Sequence, residues 1–170
     1  GMRQSYFDGV NITGNTVNNA TRSGINMSTD WRCREDVRYD CGVGAGEFDK
    51  FPWVPNRNVL ISGNTVEHIG GDGIVVQMSD GAVVEKNYVN DAANKEVSGQ
   101  NNAAVWNWNS DNTLFQYNEV SNTGRKSNND GTAWDFDYGT RNTIYQYNYS
   151  HDNAGGALLV CGCASWMTQW

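Results

Sequence analysis

Five segments of the chain share one alternation of apolar and polar residues, and each is aligned on an asparagine. They are VNITGNTV (10–17), VLISGNTV (59–66), AVVEKNYV (82–89), TLFQYNEV (113–120) and TIYQYNYS (143–150). Positions five and three before the Asn, and two after it, are Val10, Ile12 and Val17 in the first segment. They are Val59, Ile61 and Val66 in the second, and Ala82, Val84 and Val89 in the third. The last two segments are looser, with Thr113, Phe115 and Val120, then Thr143, Tyr145 and Ser150. A period of two predicts a strand with one buried face. A second strand follows each Asn: SGINMS (23–28), DGIVVQM (72–78), AAVWNWN (103–109), GTAWDFDY (131–138) and GGALLVC (155–161). Apolar residues at i, i+3 and i+4 are absent, and Asn, Gly and Thr are weak helix formers.

The shared residues Asn15, Asn64, Asn87, Asn118 and Asn148 lie 49, 23, 31 and 30 residues apart. The shortest interval suits one bare coil of a solenoid, and the longer ones suit coils carrying loops. Each Asn would turn a corner between strands, and stacked coils would align the amides in a ladder that satisfies them. The longest interval holds an excursion at 31–56 with Pro52, Pro55, Cys33 and Cys41. Smaller excursions fall near 92–101 and 122–130, and such loops commonly share one side as a binding wall. The pattern predicts an all-β fold: a right-handed parallel β-helix of about five coils, as a single domain over 1–170. Leucine is too scarce for a leucine-rich repeat, and hairpin turn signals are too irregular for a propeller.

Composition narrows the function classes. Hydrophobic residues are 38% and charged residues 18%, but 7 Trp and 8 Tyr argue against disorder. A net charge of −7 disfavours nucleic acid and anionic membrane surfaces. It also favours neutral glycans over uronates. No apolar run reaches transmembrane length. Cys33 and Cys41 could close a polar loop as a disulfide. The four cysteines, including the CGC pair Cys161 and Cys163, match zinc-ribbon spacing poorly.

The run DGTAWDFDYGTRNTIYQYNYSHDNAGGALLVCG (130–162) resembles bacterial right-handed parallel β-helix repeat proteins of the pectate-lyase-like superfamily. That superfamily includes polysaccharide lyases and glycoside hydrolases. The resemblance implies a secreted or periplasmic carbohydrate-active protein. Similar proteins continue into further coils. The resemblance thus implies a truncated stretch whose uncapped last coil associates end to end. The polygalacturonase-like set (NTD, DD, GHG, RIK) is missing: neither His lies in GHG, and there is no RIK.

In TAWDFDY, Trp134, Phe136 and Tyr138 alternate with Asp135 and Asp137. With the aromatics in the core, both carboxylates point outward, their Cα atoms roughly 6.5–7 Å apart. That suits an acid with a base or nucleophile at a glycosidic bond, and equally a calcium site or a solvated strand face. Asn107 and Asn109 would extend the groove floor on the preceding coil, with Asp130 at the start of the acidic strand. His151, with Asp152 beside it, would shuttle protons, although a plain turn accounts for both and for His68. Trp31 and Trp53, in the excursion, would stack on sugar rings, whereas Asp72 reads as a turn residue.

The expected function is a glycoside hydrolase acting on a polysaccharide or oligosaccharide through Asp135, Asp137 and His151, with no resident cofactor. The alternatives are a glycan-binding or surface-adhesion solenoid, and a calcium-dependent lyase using Arg125, Lys126 or Arg141.

Overall fold

The computed structural model describes residues 7–27, 53–95, 101–124, 126, 130–137 and 139–161. Strands account for all the regular structure among them. The first turn of chain supplies β1 (Asp8–Thr13), β2 (Thr16–Asn18) and β3 (Ile25–Met27). The second supplies β4 (Asn56–Ser62), β5 (Thr65–Glu67) and β6 (Ile74–Gln77). The third adds a short β7 (Ser79–Asp80) before β8 (Val83–Glu85), β9 (Tyr88–Asn90) and β10 (Val105–Trp108). Then come β11 (Leu114–Gln116), β12 (Glu119–Ser121) and β13 (Trp134–Phe136). The last are β14 (Ile144–Gln146), β15 (Tyr149–His151) and β16 (Leu158–Val160).

Each turn gives one strand to each of three sheets, and every pairing is parallel. The first sheet runs β1-β4-β8-β11-β14, with β7 also on β4; the second runs β2-β5-β9-β12-β15; the third runs β3-β6-β10-β13-β16. This is an all-β solenoid. Parallel stacking puts like on like, which is why the sequence repeats. Val17, Val66, Val89, Val120 and Ser150 form one inward column of the second sheet. Ile25, Ile74, Val105, Trp134 and Leu158 form one of the third. With Ile61, Val84 and Phe115 of the first sheet, these columns close a single core. Tyr145 continues it at the last turn, stacked on Phe115 with ring centroids 4.4 Å apart.

The corners depend on left-handed backbone. The residue before each aligned Asn has φ near +60°: Gly14, Gly63, Lys86, Tyr117 and Tyr147. The next corner repeats this at Asn19, His68, Asp91, Asn122 and Asp152. The amides of Asn15, Asn64, Asn87, Asn118 and Asn148 are hydrogen-bonded in series at 2.9–3.0 Å, each Nδ2 donating to the Oδ1 of the next turn. Each Oδ1 also accepts the backbone N–H of the preceding turn's Asn.

Where the second sheet passes into the third, the chain needs small residues. A Cβ on Gly73 would meet the Ala104 carbonyl oxygen at 2.7 Å and Val89 Cγ1 at 2.6 Å. Gly73→Ala is expected to cost roughly 3 kcal/mol by overpacking and to lower the melting temperature by about 6–12 °C. Thermal unfolding followed by circular dichroism checks this, and an unchanged midpoint would contradict the corner geometry.

Candidate functional site

The third sheet has an outer face that is largely covered, unlike an ordinary solvated strand face. Alternation turns Val75 and Gln77 of β6, Trp106 and Trp108 of β10 and Asp135 of β13 away from the core. Register places Val75, Trp106 and Asp135 in one row. Val75 is 0% exposed, Trp108 7% and Asp135 5%, while Trp106 and Asp137 remain half-buried.

Burial holds the Asp135 carboxyl up at about 8, and the carboxylates of Asp137, Asp130 and Asp72 push in the same direction. At neutral pH Asp135 therefore carries a proton. Its Oδ1 is buried without a hydrogen-bond partner, as is Oε1 of Gln77 on the same face. Asp72 sits in the Gly70–Gly73 turn that delivers the chain to β6. Burial raises its carboxyl to about 6, against hydrogen bonds from Trp106 and Ser23 that pull it down. The indole Nε1 of Trp106 donates to Asp72 Oδ1 at 2.9 Å, and Ser23 Oγ donates to Oδ2 at 3.4 Å. The result is two buried acids, Asp135 and Asp72, on either side of one half-open indole. One acid is neutral, so a proton donor lies among potential bases.

Behind this row, Tyr145 Oη donates to the Asp135 carbonyl oxygen at 2.8 Å. Its ring meets Phe136 edge-on, centroids 4.8 Å apart, and tilts against Trp134. Burial pushes the phenol well above its usual range, so it acts as a fixed donor that anchors β13. Gly155 closes against the carbonyl oxygen of Asp130 so tightly that no Cβ fits. Asp130 is half-buried and within the electrostatic reach of Asp135.

Several sequence expectations change here. Asn107 and Asn109 do not floor an outward groove. Asn107 pairs in register with Phe136 on the core side, is 0% exposed and donates to Thr143 Oγ1 at 2.8 Å. Asn109 is a buried corner residue at φ +44°, its Nδ2 directed at Met78 Sδ. The face they were assigned belongs to Trp106 and Trp108. His151 is on the second sheet, opposite Ser121, and away from Asp135. Its Nδ1 lies 2.8 Å from Asp152 Oδ2 and its Nε2 3.3 Å from Glu119 Oε1. Those two carboxylates raise its pKa. Asp152 is an exposed left-handed corner residue bonded to that imidazole. Trp53 and Cys161 are half-buried, and Lys126 and Arg141 are exposed. Trp31, Cys33, Cys41, Cys163, Arg125 and Tyr138 lie outside the described residues. Among the described residues, no group of three or more His, Cys, Asp or Glu side chains is arranged to hold a metal ion.

The sequence offered one signal for the correct register. A small residue precedes the first inward side chain of each third-sheet strand: Gly24, Gly73, Ala104, Ala133 and Ala157. Aligning on it places Trp106 beside Asp135.

No protein-family model matches the chain. It is 35% identical over 171 residues to a lacto-N-biosidase of Bifidobacterium longum subsp. longum, a match covering 92% of this chain and 10% of that protein. Among solved structures it is similar to the native GH136 lacto-N-biosidase of Eubacterium ramulus, with a TM-score of 0.62 and 30% identity. The selenomethionine derivative of the same enzyme gives 0.61 at 30% identity. Both structural matches cover 81% of this chain and 23% of the enzyme. The chain thus spans about a tenth of the curated relative's length and about a quarter of the solved one.

Proposed function

We propose that this solenoid carries acid residues of a glycoside hydrolase that cleaves a lacto-N-bioside or a related neutral oligosaccharide outside the cytoplasm. The observation that carries the reading is the buried Asp135 carboxyl beside Trp106 in the third sheet, its pKa pushed up to about 8 by burial and by the nearby Asp137, Asp130 and Asp72. Asp135 holds the proton for the leaving glycosidic oxygen. Asp137 acts as base or nucleophile, and Asp130 binds sugar hydroxyls. Two carboxyl groups of unlike protonation flanking one bond are what glycoside hydrolysis requires. Net charge of −7 and the acids around Asp135 repel uronates, so the substrate is neutral. The similarity to two lacto-N-biosidases supports the same chemistry. The coil is taken to wind right-handed, as parallel crossovers overwhelmingly do.

A second reading, a solenoid that binds glycan without cleaving it, is favoured by the near-complete burial of Asp135. The test is incubation of the longest natural form with a chromogenic lacto-N-bioside and a panel of neutral and uronic-acid polymers. Reducing-end release and the absorbance of unsaturated uronates are followed together. Release from the lacto-N-bioside without that absorbance is expected. Unsaturated products would replace the hydrolase with a lyase, and binding without release would leave the second reading.

A further inference from the structure

We infer that Trp106 is a sugar-stacking platform for a neutral pyranose, held in its working orientation by Asp72, and that this subsite adjoins Asp137. Three observations carry it. First, among the outward aromatics of the third sheet, Trp108 is closed off at 7% exposure, while Trp106 keeps an open part. Second, the indole is not free to turn. Its Nε1 donates to Asp72 Oδ1 at 2.9 Å, and Asp72 is itself 5% exposed and braced by Ser23. The turn bearing Asp72 is equally fixed, because a Cβ on Gly71 would meet the Arg22 carbonyl oxygen at 2.6 Å. Third, Trp106 pairs with Asp135 in register, which puts Asp137 on the diagonal. Diagonal neighbours on adjacent strands lie roughly 7–8 Å apart. A ring lying on the indole would therefore bring its glycosidic oxygen towards the acids.

The chemistry matches a sugar better than another ligand. The apolar C–H face of a pyranose lies against an aromatic face, and its hydroxyls need polar partners at the rim. Gln77 Oε1 and Asp135 Oδ1 are unpartnered acceptors on that same sheet face. A locked indole also binds at lower entropic cost than a mobile one. Asp72 is thus a positioning residue, acting through Trp106.

The inference rests on the glycan reading but not on cleavage, so it is tested by binding. Calorimetric titration of the longest natural form uses lacto-N-biose and the methyl glycosides of neutral pyranoses. Trp106→Ala is expected to weaken binding roughly tenfold or more, and Trp106→Phe, which keeps an aromatic face, by less. Asp72→Ala is expected to weaken binding like Trp106→Ala, whereas Asp72→Asn, which keeps an acceptor for the indole, recovers most of the affinity. A purely structural role for Asp72 would not give that rescue. If Trp106→Ala does not fold, the Phe variant and the shift of the Trp106 indole N–H resonance on adding sugar decide. No sugar binding to the wild type, or binding that ignores both Trp106 variants, overturns the inference. Hydrolysis that is independent of Trp106 would overturn it while sparing the hydrolase reading. Trp106-dependent binding without hydrolysis would do the reverse.

Discussion

Replacing Asn87 with Ala is expected to destabilise the protein by about 4 kcal/mol. Asn87 is 2% exposed and its amide is fully used. Nδ2 donates to the Ile61 carbonyl oxygen at 3.0 Å and to Asn118 Oδ1 at 2.9 Å. Oδ1 accepts from the backbone N–H and the Nδ2 of Asn64, both at 2.9 Å. Two donors and two acceptor sites are all that an amide has. Truncation orphans the Asn64 backbone N–H and takes one hydrogen bond each from Asn64 Nδ2, Asn118 Oδ1 and the Ile61 carbonyl oxygen. Of these, Nδ2 keeps the Ile12 carbonyl and Oδ1 keeps the backbone N–H of residue 87. The orphaned donor costs about 1–3 kcal/mol, and the other three losses add about 0.5–1 kcal/mol each. Asn87→Asp should be no better, since the carboxylate keeps the acceptors but cannot donate to two facing oxygens. Asn148→Ala should cost about half as much, because that amide is only half-buried in the last described turn. Urea unfolding of the three variants provides the check. Equal effects at positions 87 and 148 would mean that the interior ladder has no special weight.

That amide was legible in the sequence because parallel stacking repeats its demands at every turn. The same residue type must recur wherever the same corner recurs, and valines 17, 66, 89 and 120 recur for the same reason. The outer faces carry no such demand, and there the sequence misled. Strands of three residues contain too few alternations to set a register. In Val105-Trp106-Asn107-Trp108-Asn109, either set could face inward on polarity alone. The rule that aromatics go inside holds for Trp134 but fails for Trp106 and Trp108. The third sheet is covered on its outer side too, so a buried Trp108 need not be a core one.

His151 lies away from Asp135 for a topological reason. It follows the acidic strand closely in the chain, but a whole first-sheet strand, β14, and a corner intervene. The imidazole therefore emerges on the second sheet, among Glu119 and Asp152. Asp72 is a turn residue as expected, but its contact with Trp106 was hidden in the sequence. Its partner Trp106 is 34 residues away in sequence, one turn along the solenoid, and only the stacking of turns brings them together. Local turn chemistry explains the glycines beside Asp72 but not its buried carboxyl.

Asp135→Asn is expected to make the protein more stable and far less active. The folded-state pKa of about 8 lies above the ordinary carboxylate value of 3.8. The folded protein thus holds a proton that the unfolded chain has released between about pH 4 and pH 8. Stability linked to Asp135 is fully present below pH 4 and is lost as pH rises through 8, a decline on the order of a few kcal/mol. The Asn variant is neutral throughout and lacks this decline, so its advantage should grow with pH across that window. Its activity should move the other way. Loss of a general acid costs roughly 10²–10⁴-fold in turnover, and Asp137→Asn should cost at least as much by removing the partner carboxylate. Wild-type kcat/KM should fall as pH rises through about 8, where Asp135 loses its proton, and the Asn variant should lack that limb. Melting curves and rate profiles on the wild type and both variants decide the matter. A wild-type rate flat through pH 8, or full activity in Asp135→Asn, would leave the raised pKa as a cost of burial alone and move the acid's role to Asp130.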